Sequence, residues 1–152
     1  MKTINKIMVA VDFSDHSEPA VLYAAGLAED VGAQLLLVNI YNERDIDKME
    51  TIAFRIPEFS VQAHVDRNME DRRNRLAELA EKLIPDTIDV AVSVLIGIPY
   101  KGLLQLIEEK KIDLLVMGTK GRSNFVDMII GSCAQKMFRR SPIPLLSIRE
   151  TT

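Results

Sequence analysis

Gly118, Gly121, Gly131 and Ser132 stand in the spacing G-x2-G-x9-G-S, directly after the apolar run Ile112-Asp113-Leu114-Leu115-Val116-Met117. A buried strand that ends in a glycine loop and then opens a helix is a layout for holding an anion. Helix N-termini carry unpaired N–H donors and about half a positive charge. Backbone groups of Gly118, Gly121, Gly131, Ser132 and Cys133 could therefore hold phosphates, with the Ser132 hydroxyl as a further donor. A Cβ in such a loop would keep the backbone off the phosphate oxygens and forbid left-handed turns. Lys120, Arg122 and Ser123 fall inside the loop, where they could touch a terminal phosphate or face solvent. A carboxylate, Asp12, follows a second apolar run, Ile7–Val11. It could accept hydrogen bonds from ligand hydroxyls, or cap the loop before the first helix, a task that Ser14, Asp15 and Ser17 could share.

The elements that must position these groups can be read from periodicity. Apolar, β-branched-rich runs over 7–13, 33–41, 90–96, 112–117 and 143–148 predict five strands. The first, second and fourth are almost continuously apolar, as parallel strands covered on both faces should be. Between them lie stripes at helical spacing. They are Ala20, Val21, Ala24, Leu27, Ala28 and Val31; then Leu76, Leu79, Ala80 and Leu83; then Leu103, Leu104 and Ile107; and last Ala134, Met137 and Phe138. Alternating strands and helices predict an α/β fold, a single Rossmann-like domain over 1–152, with helices on both faces of a parallel sheet. Residues 42–66 mix charge with Ile46, Met49, Ile52, Phe54, Ile56 and Phe59; a structureless loop of that length would be unusual, which predicts a short helix or a flap. The charge-dense stretch 69–75 reads as a solvated helix face.

Composition narrows the function. The chain has 152 residues, 47% of them apolar and 27% charged, with a net charge of −3. That size suits one domain, and the charge argues against nucleic-acid binding through a basic face. Lys136, Arg139 and Arg140 fit a helix C-terminus, where cations complement the dipole. No apolar stretch reaches the ~18 residues that span a membrane, so no membrane insertion and a cytoplasmic location are expected. Cys133 is the only cysteine, which precludes an intramolecular disulfide. It reads as a small buried filler, with a redox-sensing thiol of lowered pKa as the alternative. His16 and His64 have no neighbours at zinc-ligand spacing, and no metal site is expected.

Order and spacing together carry a resemblance. The glycine signature, the block Lys6-Ile7-Met8-Val9-Ala10-Val11-Asp12-Phe13-Ser14, the block Asp113–Gly118 and the block Ser141–Arg149 resemble, in that order, the universal stress protein family in its ATP-binding form. The resemblance implies a five-stranded parallel sheet in the order 3-2-1-4-5. In such a sheet the crevice opens where strands 1 and 4 part, so Asp12 and Gly118 converge there. It further implies that Asp12 meets the ribose, that Ala10, Val11, Ile40 and Met117 line the adenine pocket, and that Gly118, Gly121, Arg122, Gly131, Ser132 and Cys133 surround the phosphates. The cofactor it implies is ATP, or AMP or ADP, with Mg2+ able to accompany the phosphates. A homodimer through the last strand and an unidentified partner protein complete the expectation.

What is missing favours binding over turnover. There is no G-x4-G-K-S/T, so this is no P-loop ATPase. Strand 3 ends in Leu95-Ile96-Gly97 where a response regulator would need a phosphoacceptor aspartate. No second carboxylate, arginine finger or water-positioning glutamine accompanies the glycine loop, and phosphoryl transfer needs such groups. The sequence is thus read as a nucleotide-binding stress-response regulator without catalytic residues. A slow ATPase or phosphotransferase using the same pocket is the alternative.

Overall fold

The computed structural model describes residues 2–119 and 131–149. The elements run β1 (Lys6–Ala10), α1 (Ser17–Val31), β2 (Gln34–Asn42), α2 (Glu43–Arg55), α3 (Val61–Leu83), β3 (Val90–Gly97), α4 (Pro99–Lys110), β4 (Leu114–Gly118), α5 (Ser132–Arg140) and β5 (Leu145–Ile148). The five strands form one sheet in the order β3-β2-β1-β4-β5, every pair parallel. The expected order is the observed one.

Side chains alternate across the strands, so each run feeds two cores. Ile7, Val9, Leu35, Leu37 and Val116 pack with Ala20, Val21 and Ala24 of α1 and Leu76 of α3 on one face. Met8, Val38, Leu115 and Met117 pack with Leu103, Leu106 and Ile107 of α4 and Ala134 and Met137 of α5 on the other. Two crossovers place α1 and α3 on one side, and two place α4 and α5 on the opposite side. α1 ends at Gly32, whose φ of 71° is left-handed and whose N–H bonds the carbonyl of Ala28, a stop that glycine makes without strain. At the far end of the sheet, Asp113 accepts from the amides of Asn5 and Lys6 at 2.9 and 3.0 Å. Those bonds, the one from Asn5 foremost, hold its carboxyl below the usual carboxylate range.

Several details depart from the sequence reading. β1 stops at Ala10 rather than running to residue 13, because Asp12 turns the chain and Phe13 takes a left-handed φ of 62°. Val31 and Phe138 were expected in buried stripes, yet both are over 40% exposed, each on the outer flank of its helix. β5 begins only at Leu145, since Pro142 and Pro144 have no N–H for the ladder. Residues 42–66 hold two helical segments: α2, and the first turns of α3, started by Ser60 accepting from the amide of Ala63. α2 buries no side chain; its Met49 receives a hydrogen bond from the buried Tyr41 hydroxyl.

Candidate functional site

The chain leaves β1 toward α1 on one face and leaves β4 toward α5 on the other, and the gap between those exits is where doubly wound sheets bind ligands. A cavity of about 370 Å³ lies there, lined from β1, β2, β4, α2, α3, α4 and α5. That volume falls within the range of small-molecule sites. Because neighbouring strands are about 4.8 Å apart, crossing from the end of β4 over β1 to β2 covers roughly 10 Å.

Ala10, Val11, Asp12, Ile40, Gly118, Gly131, Ser132 and Cys133 all line this cavity. Met117 does not. It is 6% exposed and packs in the core between β4 and α4–α5, because its side chain points into the sheet face one residue before the strand ends. Gly121 and Arg122 lie outside the described residues.

At the β4 end, α5 starts at Gly131 with no side-chain cap, so the amides of its first turn have no partner from a capping side chain. One expected donor is removed from that set. The N–H of Gly131 already donates to the carbonyl of Thr119 at 2.9 Å. The amides that remain are those of Ser132, Cys133 and Ala134, all three of them cavity residues. Thr119 itself is buried and braced against β5: its amide and hydroxyl both reach the carbonyl of Ile148, and its hydroxyl shares a 2.7 Å hydrogen bond with Ser147. Cys133 is half-buried, and burial, followed by the nearby charge of Asp12, pushes its thiol up to about 11. Burial and the charge of Asp12 thus act against the alternative of a thiol activated by the helix end.

In the middle, Asp12 caps the start of α1 through one of its two oxygens. Oδ1 accepts from the Ser14 amide at 3.0 Å and the Ser17 hydroxyl at 2.9 Å, which fixes the start of α1. His16 at the helix N-cap supplies no side-chain cap of its own. Oδ2 makes no hydrogen bond among the described residues, and Asp12 lines the cavity.

The β2 end holds what the sequence concealed. Asn39, 4% exposed between Val38 and Ile40, donates to the carbonyl of Val11 at 2.7 Å. Its Oδ1 accepts from Nη1 of Arg72 at 2.7 Å, and the Arg72 guanidinium lies 4.1 Å over the ring of Tyr41. Arg72 lines the cavity, so the charge-dense stretch is not simply a solvated face. Its partners are more than thirty residues away in sequence, which no local pattern could reveal. His16, Asn42 and Asp45 line the cavity too. Ile40 adds main-chain groups. β1 pairs with β2 only as far as Ala10 and Val38, whereas β2 continues along β3 to Asn42. Val38 faces β1, its carbonyl accepting from Val11; two residues on, Ile40 directs its N–H and C=O into the space that β1 has vacated. The Ile40 side chain rests on Gly102 of α4, where an added Cβ would come within 2.8 Å of Cδ1.

Three kinds of group therefore meet in one cleft: amide donors suited to an anion, a carboxylate oxygen suited to hydroxyls, and an apolar wall bounded by main-chain groups. Among the described residues no cluster of three or more His, Cys, Asp or Glu could hold a metal ion, and no helix is long and apolar enough to cross a membrane.

Known proteins with this architecture agree on its origin. The chain is 23% identical over 152 residues to the universal stress protein MJ0577 of Methanocaldococcus jannaschii, covering 95% of this chain and 94% of that one. It is 28% identical over 145 residues to a universal stress protein of Thermus aquaticus, covering 94% and 97%. Among solved structures, MJ0577 matches with a TM-score of 0.84 at 20% identity over 99% of both chains. A universal stress protein in complex with cAMP matches at 0.62, with 24% identity over 97% of this chain and 98% of that one. One from Archaeoglobus fulgidus in complex with dAMP matches at 0.63, with 16% identity over 97% and 99%. The model of the universal stress protein family itself matches residues 3–149. This chain belongs to the universal stress protein family.

Proposed function

We propose that the cleft binds an adenine nucleotide, ATP or its ADP and AMP relatives, and that the protein is a cytoplasmic stress-response regulator rather than an efficient enzyme. The observation that carries this reading is the meeting of Asp12 and the uncapped first turn of α5 in one crevice of about 370 Å³. Phosphates lie against the amides of Ser132, Cys133 and Ala134, where the helix end favours negative charge. The ribose hydroxyls bond the Oδ2 of Asp12. The base rests among Ala10, Ile40, Pro99 and Leu103, its polar edge toward the main chain of Ile40. Related structures bound to cAMP and dAMP support an adenylate as the ligand class. Gly121 and Arg122 complete the proposed phosphate site by family likeness, and Mg2+ would enter with a triphosphate, neutralising its charge.

Regulation is favoured over turnover by the placement of charge. Arg72, the cleft's arginine among the described residues, is engaged with Asn39 and Tyr41 at the β2 end. β5 is an edge strand whose residues are all half-buried, and an edge needs cover. A second copy paired through β5 supplies it, leaving the cleft accessible to a partner protein. Ser147, already bonded to Thr119, is not a neutral place to test that interface. Sedimentation equilibrium at micromolar concentration decides it, a monomer with and without ATP being the contrary result.

The deciding experiment for the ligand is to denature freshly purified protein in acid and identify the nucleotide released, followed by calorimetry with ATP. Bound adenylate and sub-millimolar affinity support the reading. Absence of both overturns it, and steady release of ADP from added ATP would favour slow hydrolysis.

A further inference from the structure

Asp12 is gripped from both sides by one helix. Its predecessor, Val11, has its carbonyl bonded by Asn39, which is bonded in turn by Arg72 of α3. Its successor, Phe13, carries the guanidinium of Arg75 at 4.1 Å over its ring. Arg72 and Arg75 are three residues apart, hence neighbours on one face of α3. Phe13 has a left-handed φ of 62°, a conformation an aromatic residue holds only when its surroundings impose it. Its ring is seated against the α1–α3 core, so α3 reaches the peptide units flanking Asp12 both along the sheet and from outside.

We infer that Arg75 and Phe13 form a clasp that positions the Asp12 carboxylate for the nucleotide's ribose hydroxyls, with the Arg72–Asn39 relay as the opposite jaw. This rests on the adenine-nucleotide reading above. Arg75 is not among the residues lining the nucleotide cleft; with Phe13 it lines a separate surface hollow between α1 and α3. It therefore acts through Phe13 rather than on the ligand. The clasp turns a stretch of α3 that faces outward into a determinant of hydroxyl recognition.

The test compares ATP with 2′,3′-dideoxy-ATP by calorimetry on the whole protein. Wild type should prefer ATP by roughly tenfold, the value of hydrogen bonds to a charged acceptor. Arg75→Ala should lower that preference by about threefold, as expected for one exposed cation–π contact, with the dideoxy affinity held. Phe13→Gly, which accepts the left-handed backbone but offers no ring, should lower it similarly, and Phe13→Tyr should keep it. Arg75 is exposed, so its loss leaves the fold in place, and circular dichroism verifies that. An unchanged preference in Arg75→Ala and Phe13→Gly overturns the clasp, as does an equal loss for both nucleotides. If wild type binds ATP and its dideoxy form alike, the clasp fails while the nucleotide reading stands. If it binds neither, the nucleotide reading fails first.

Discussion

The amide of Gly131 donates to the carbonyl of Thr119 at 2.9 Å, so the last glycine of the signature is tied back to the residue that follows β4 instead of offering a donor to the ligand. Gly131 has φ −66° and ψ 157°, a backbone open to any residue. Its advantage is the lack of a side chain beside the cleft.

This relationship makes a proline scan of α5 informative. The extended backbone of Gly131 is the conformation required before proline, and proline is well tolerated at the first position of a helix. Ser132→Pro should therefore fold normally while removing one anion-binding amide together with the Ser132 hydroxyl. ATP affinity should fall by about 1.5–3 kcal/mol, the range for a hydrogen bond to a charged group, and adenosine affinity should be unchanged. Calorimetry with both ligands checks this; equal losses would place the phosphates elsewhere.

The divided carboxylate of Asp12 separates two substitutions. Asp12→Asn keeps its one oxygen for Ser14 and Ser17, so thermal stability should shift little, while the ligand-facing Oδ2 becomes an NH2 that cannot accept from the ribose hydroxyls and ATP binding should weaken by about 1.5–3 kcal/mol. Asp12→Ala removes both tasks, and stability should drop by about 1–2 kcal/mol together with affinity. Melting curves beside titrations would show whether the two effects separate in the asparagine variant.

For Cys133, the raised thiol pKa sets a direction with pH. The unfolded thiol ionises near 9 and the folded one at about 11. Across that interval the native state retains a proton that the unfolded state has lost, so stability declines as pH rises from 9 to 11 and the thiol contributes nothing to pH dependence near neutrality. Comparing wild type with Cys133→Ser in urea melts at pH 8 and pH 10.5 isolates the contribution. Alkylation by iodoacetamide at pH 7.5 should be slow and slower still with ATP present.

Gly102→Ala should trade ligand for helix. Alanine favours a helix interior over glycine by about 1 kcal/mol, but its Cβ would press on Cδ1 of Ile40 at 2.8 Å. The flexible tip of Ile40 can move, and the cleft is one place it can go. The variant should melt within about 1 kcal/mol of wild type yet bind ATP several-fold more weakly, a split that differential scanning fluorimetry and calorimetry would reveal.

How much of this was legible beforehand depends on the range of each signal. Parallel strands such as Leu35–Val38 reveal themselves through local composition, and the glycine spacing fixed the junction between β4 and α5. Asn39 and Arg72 did not, because a buried asparagine in a strand and an arginine in a charged helix acquire meaning only from each other. Met117 failed for a different reason: alternation along β4 sends its side chain to the core, and family likeness speaks to position more than to orientation. Thr119 carries no signal of its own in the sequence, since its partners lie on β5, some thirty residues on.

A helix that buries nothing has a kinetic consequence. α2 holds no core side chain, and a 13-residue helix is marginal by itself in water. Its opening should therefore occur far more often than global unfolding, with amide hydrogen exchange orders of magnitude faster in 43–55 than in β1 or β4. Because Asp45 of α2 and its N-cap Asn42 sit on the cleft wall, each opening of α2 would loosen that wall, so the β2 end of the cleft would breathe at the tempo of α2 rather than of the sheet beneath it.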